Sequence, residues 1–151
     1  MNSTMERDLF LQAAVDEAKL SLSEGGIPIG SVLVSGGNII GRGHNCRVQT
    51  GSAIDHGEMN CLRNAGRLPS SVYKNSTIYS TLSPCPMCSG AIVLYKIPHV
   101  VVGESRNFLG AEDYMRSQGV RVDVVQDAEC IQMMKQFIAE NPSLWNEDIG
   151  V

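Results

Sequence analysis

The sequence predicts an α/β fold: a three-layer α/β/α arrangement around a mixed, roughly five-stranded sheet. Three observations lead there. A stretch of helical period opens the chain and is followed by a two-strand hairpin. Short β-branched runs then alternate with helical runs, giving the order α-β-β-α-β-α-β-(α)-β-α. A hairpin followed by alternating units implies antiparallel and parallel pairs in one sheet, covered on both faces.

Each element has its own reason. Leu11, Ala14, Val15, Ala18 and Leu22 recur at helical period, so residues 5–23 read as an amphipathic helix, with Ser3 and Glu6 at capping-box spacing. "EGGIP" stops it. "IGSVLV" (29–34) and "NIIGRG" (38–43) read as strands joined by a turn at "SGG". Residues 44–55, "HNCRVQTGSAID", form a polar loop of a length that is often functional. A helix is expected over 56–67, a strand over 76–82, and a helix from Cys85 to Tyr95 that is apolar nearly all round and therefore buried. "HVVVG" (99–103) and the alternating Val120, Val122 and Val124 read as strands, while 104–117 fits neither pattern cleanly. Residues 127–140 read as a helix, ended by Asn141-Pro142 and followed by a short tail.

The totals bound the function. The 151 residues fit one domain over 1–151, with no repeat, low-complexity segment or linker. No run reaches the roughly 18 apolar residues of a membrane span. "MNSTMERDLF" lacks a basic region followed by an apolar one, so no signal peptide is expected. Five cysteines, an odd number without disulfide-framework spacing, point to a reducing, cytoplasmic compartment. Net charge is −4 with no block of basic residues, which weighs against nucleic acid as the main partner.

The chemistry gathers in two motifs. "PCPMC" places Cys85 and Cys88 three apart at a helix start, and "HGE" places His56 and Glu58 at the start of another. A Cys-x-x-Cys pair alone also fits a redox dithiol. With His56, the set offers zinc one nitrogen and two thiolates, and leaves a fourth position for water or hydroxide, the catalytic rather than the structural pattern. Residues i and i+3 on a helix share a face, and a helix N-terminus favours thiolate. Glu58 remains free beside the open position as a proton carrier. No Gly-rich phosphate motif is present. Cys46, Cys61 and Cys130 read as unpaired thiols, His44 and His99 as loop and strand-edge residues, and Met87, Met133 and Met134 as packing.

The pattern H-x-E…P-C-x-x-C is the signature of the zinc nucleobase deaminases. The chain resembles the cytidine/cytosine deaminase superfamily, and more closely its small fungal-type cytosine deaminases. The closer likeness runs through "EGGIPIG", "GRGHN", "HGE", "NAGRLP", "TLSPCPMCSGAI", "VVGESRNF", "MKQFI" and "EDIG". The resemblance implies a cytidine deaminase-like fold, one zinc per chain on His56, Cys85 and Cys88, Glu58 as proton shuttle, and hydrolysis of cytosine to uracil and ammonia. It also implies substrate contacts. Asn45 and the Gly57 N–H would face the ring edge, Asp148 the exocyclic amine, and Ser83 would offer a backbone carbonyl. Ile29 and Leu82 would pack on the base, and Phe108 and Trp145 would close over it under a C-terminal lid. A small-molecule base, a homodimer and no membrane follow as partner expectations. Asp55 stands where that subfamily carries an apolar residue, which leaves its role open between a partner for His56 and a contact for a different exocyclic group; residues 109–115 also depart from the pattern. Three readings compete: the same chemistry on guanine, an aminotriazine or tRNA adenosine; a zinc-stabilised binding module without turnover; and a dithiol redox protein.

Overall fold

The computed structural model describes residues 7–151, and their hydrogen-bonded strands form a five-stranded sheet. The strands are β1 (Gly30–Ser35), β2 (Asn38–His44), β3 (Ser76–Ser80), β4 (His99–Val102) and β5 (Arg121–Val124), in the order β2-β1-β3-β4-β5. β1 is antiparallel to both β2 and β3, whereas β3, β4 and β5 run parallel. The helices are α1 (Leu9–Ser23), α2 (Arg47–Thr50), α3 (Gly57–Ala65), α4 (Ser70–Tyr73), α5 (Pro86–Leu94), α6 (Glu112–Ser117), α7 (Ala128–Glu140) and α8 (Pro142–Asp148). The mixed α/β expectation holds.

Local chemistry explains the boundaries. Gly36 and Gly37 both take positive φ, 58° and 77°, which the two-residue hairpin turn requires. α1 begins later than residue 5: Asp8 caps it, accepting from the Phe10 N–H at 2.7 Å. The Ser3–Glu6 capping box lies outside the described residues. The polar loop holds one short turn, α2, closed by Gly51 at φ 68°. The largest departure is the tail. Asn141 ends α7 as expected, but Pro142 then opens α8, because proline at the first helical position forfeits no hydrogen bond.

Alternation along the strands builds two cores. Leu33, Ile78, Val100 and Val102 face Cys61 of α3, Ile92 of α5 and Met115 of α6. Val32, Val34 and Tyr79 face the other way, onto Leu11 and Ala14 of α1. Lys19 of α1 pairs with Glu129 of α7 at 2.7 Å, so these two helices share that side. Three layers result. A further cluster of Ile27, Ile29, Leu82, Met134, Phe137 and Trp145 draws α7 and α8 over the C-terminal end of β3. Each such side chain contributes about 1.5–3 kcal/mol when fully buried. The chain leaving β3 therefore enters a roofed, apolar corner.

Candidate active site

Beyond β3, Ser80 Oγ donates to the Leu82 carbonyl at 2.8 Å and the Ser83 N–H donates to the Glu104 carbonyl at 2.9 Å. These bonds turn the chain so that Cys85 becomes the N-cap of α5, with Pro86 in the first turn. The Cys88 N–H points at Cys85 Sγ, 3.5 Å away. His56 is the N-cap of α3, in an extended conformation that Gly57 follows into the helix. The two helix starts meet: Cys85 Sγ lies 3.5 Å from His56 Nδ1.

One ligand atom each from His56, Cys85 and Cys88 lies within 4.8 Å of the others. Tetrahedral zinc with bonds of about 2.0–2.3 Å sets its ligand atoms roughly 3.5 Å apart, so the donor set and its spacing fit zinc. The side chains are electrostatically matched. The Cys85 thiol is held down to about 4: the Cys88 S–H bond lowers it most, burial raises it, and His56 lowers it further. Burial disfavours the His56 imidazolium, yet Cys85, Asp148 and Glu58 outweigh this and raise it to about 9. The Cys88 thiol is pushed up by donating to Cys85 and by burial. The Glu58 carboxyl is 4% exposed, and burial, reinforced by Cys85, raises it to about 7.

A small space adjoins this cluster, lined by the predicted Ile29, His56, Glu58, Leu82, Ser83, Cys85, Phe108, Trp145 and Asp148. As it stands the space amounts to about 10 Å³, room for one water. Phe108 and Trp145 meet edge to face, with centroids 5.8 Å apart and planes at 85°. Ile149 also lines the space and was not anticipated; its place four residues after Trp145 on an apolar helical face is the signal that a helical reading of the tail would have supplied.

Three predicted residues stand outside that lining. Cys88 lies behind the pocket within the donor cluster. Gly57 packs against Ile29, where an added Cβ would meet its carbonyl at 3.2 Å. Asn45 is fully buried, and its Nδ2 donates to Asp148 Oδ1 at 2.7 Å while its Oδ1 accepts from the Arg47 N–H at 3.1 Å. The same Asp148 oxygen lies 3.5 Å from His56 Nε2. Asp148 thus joins α8 to both the loop and the imidazole, and burial raises its carboxyl above the ordinary value. For Asp55 the partner is not His56. Its carboxylate accepts from Arg63 Nη1 at 2.7 Å, Thr50 Oγ1 at 3.0 Å and Asn60 Nδ2 at 3.3 Å.

Supporting residues around the loop after β4 have roles the sequence did not assign, although Glu104 falls within "VVGESRNF". Glu104, fully buried, accepts from the N–H groups of Arg106 and Asn107 at 2.8 and 3.0 Å, bracing the loop that carries Phe108. Ser83 Oγ donates to Glu112 at 2.6 Å and accepts from the Gly110 N–H at 2.9 Å, tying the same loop to the motif before α5. His99 is not at a sheet edge: it starts β4, which lies between β3 and β5, and pairs with Asp123 of β5 at 2.8 Å, whereas Cys61 is buried packing as expected.

Comparison with known proteins gives a consistent result. The family model for the cytidine and deoxycytidylate deaminase zinc-binding region matches residues 5–104. A cytosine deaminase of Candida albicans is 57% identical over 141 residues, covering 93% of this chain and 94% of that protein. A tRNA-specific adenosine deaminase of Bacillus subtilis is 36% identical over 143 residues, covering 88% and 89%. Among solved structures, a guanine deaminase from Bacillus subtilis is 28% identical with a TM-score of 0.58, covering 77% of this chain and 72% of that one.

Proposed function

Since the chain belongs to the cytidine and deoxycytidylate deaminase family, we propose that it is a zinc-dependent hydrolase converting free cytosine to uracil and ammonia. The observation that carries the substrate is the 57% identity to the Candida albicans cytosine deaminase across nearly the full length of both chains. The pocket supports it. No Lys or Arg lines it, so it offers nothing to a phosphate and suits an uncharged base. Phe108, Trp145 and Ile149 close it against a polynucleotide, which disfavours tRNA adenosine.

In this reading the whole chain acts as one deaminase domain, with His56, Cys85 and Cys88 holding the metal. Bound zinc supplies Lewis-acid activation of water at neutral pH. Glu58 would carry both protons of the attacking water in turn, the first to the ring nitrogen beside the amino-bearing carbon and the second, left on the newly bonded oxygen, to the departing amine. Asp148 accepts from the exocyclic amine. Asn45, the Gly57 N–H and the Ser83 carbonyl fix the polar edge of the ring, and Ile29 and Leu82 pack against its face. Phe108 and Trp145 exclude bulk water. The walls leave room for about one water, so a base enters only when α8 or the Phe108 loop moves.

The reading extends to a cytoplasmic homodimer. Leu94 and Tyr95 at the end of α5 are 67% and 47% exposed, beside a groove lined by Met59, Leu62, Leu68 and Tyr73. A second copy covering that face would bury both.

Ammonia release from free cytosine, from guanine and from a tRNA anticodon stem-loop tests the substrate. Cytosine is expected to react far faster than the others; preference for either of them overturns the proposal. The Glu58→Ala variant is expected to keep one zinc per chain and lose about 10²–10⁴-fold in rate. Loss of zinc with unchanged turnover would refute Glu58 as the proton carrier.

A further inference from the structure

A second group of donor atoms meets on the far side of Asn45. Glu24 caps the C-terminal end of α1, His44 ends β2, and Cys46 opens the loop that follows. One ligand atom from each lies within 4.8 Å of the others. His44 Nε2 stands 2.9 Å from Glu24 Oε1. The opposite ring nitrogen, Nδ1, stands 2.8 Å from Glu17 Oε1. Glu17 is itself buried and is held on its other oxygen by Arg42 Nε at 2.7 Å.

That arrangement is the one that orients metal-binding histidines. A carboxylate that takes the proton of one ring nitrogen fixes the tautomer and turns the other nitrogen's lone pair outward. Here it is turned toward Glu24 and Cys46. We propose that Glu24, His44 and Cys46 form a second binding site, for a thiophilic divalent cation of the zinc class. One oxygen, one nitrogen and one sulfur suit zinc or cobalt and not magnesium or calcium, which require oxygen ligands throughout. The Glu24 side chain is 45% exposed and that of His44 14%, so the group opens to solvent on one side and water can complete the coordination.

The placement gives such a cation a point of action. His44 and Cys46 flank Asn45, whose carbonyl accepts from Ser21 Oγ at 2.6 Å and Gln49 Nε2 at 3.1 Å. A cation bridging the flanking residues would pin the strand–loop junction to the end of α1. Without one, the imidazole rests between Glu17 and Glu24 as an ion-paired anchor.

The inference is independent of the substrate, and so is its test. The zinc-loaded full chain is titrated with Co²⁺ while bound metals are counted and the absorption spectrum is recorded. The wild type is expected to take up one cobalt with its zinc content unchanged, and to develop thiolate-to-cobalt charge-transfer absorption. Cys46→Ser is expected to abolish that absorption, and Glu24→Gln to weaken binding about 10-fold or more. Wild-type protein that binds no metal beyond its zinc overturns the proposal, with no variant needed. So does charge-transfer absorption that survives Cys46→Ser.

Discussion

Asp55 directly precedes His56, yet its buried carboxylate turns away from the metal centre into a part-exposed knot with Arg63, Thr50 and Asn60. The knot joins the loop of Asn45 to α3, which bears Glu58. Burial alone would raise the Asp55 carboxyl, but the bonds from Arg63, Thr50 and Asn60 outweigh it and hold the group below its ordinary 3.8. A lowered folded value means stability that is present above 3.8 and is lost as the pH falls through the folded value. Asp55→Asn is therefore expected to bind zinc normally but to lose about 1–3 kcal/mol in urea unfolding at neutral pH. Its deficit against the wild type should shrink on acidification; a deficit independent of pH would show that the charge is not what the knot uses. Asp148 belongs to the same scale. Its contact with His56 Nε2 is the kind of outer bond whose loss costs about 10–100-fold in activity or metal affinity. Asp148→Asn is expected to fall in that range for kcat/KM. The ligands themselves make a proton prediction. In metal-free protein near pH 7, His56 and Cys88 retain their protons and Cys85 has already lost its own. Zinc uptake should thus release one proton from each of the first two, read as acidification of weakly buffered solution. The raised His56 value also means that the imidazolium stabilises the metal-free fold below 6.5, and that this contribution vanishes as the pH rises through about 9.

At the scale of elements, the site is the meeting of two helix starts under a third helix. α3 and α5 supply the donors because their N-caps, His56 and Cys85, sit side by side at the end of the sheet. The loop between β4 and α6 sets the wall, and its fit depends on one glycine. A Cβ at Gly110 would collide with the Pro84 carbonyl, which accepts the Ala111 N–H at 3.0 Å. Gly110→Ala must push the loop away from the Ser83–Cys85 turn and carry Phe108 with it. A loss of about 1–3 kcal/mol in urea unfolding is expected, as for other overpacked sites, together with a raised KM for cytosine. An unchanged KM would mean that Phe108 is positioned from Glu104 alone. α8 closes the same pocket from the opposite side and is held there by Trp145 and Asp148.

Across the whole molecule, a net charge of −4 suits a neutral, free base, since no phosphate must be neutralised. The end of α5 exposes Leu94 and Tyr95, an apolar face that a second copy would cover under the proposed function. Sedimentation equilibrium should return twice the 16.3 kDa chain mass, and Tyr95→Asp, remote from the pocket lining, should return the monomer. A monomeric wild type would leave Leu94 and Tyr95 exposed for some other reason and would sink the dimer.

The sequence by itself determined what is local. Hydrophobic period set the strands and long helices, Gly36-Gly37 set the hairpin, and the spacing of His56, Glu58, Cys85 and Cys88 set the chemistry. Ligand spacing is legible because a helix start fixes which neighbouring atoms converge, whatever lies around it. Only the tertiary structure decided where Asp55 points, that the tail becomes α8, and that Asn45 reaches the site through Asp148. An acid beside a metal ligand has two directions open to it, and the choice fell to Arg63, eight residues on, which offered a charge-assisted bond. A seven-residue helix has too few hydrogen bonds to persist alone, so α8 exists because Trp145 has an apolar corner to fill.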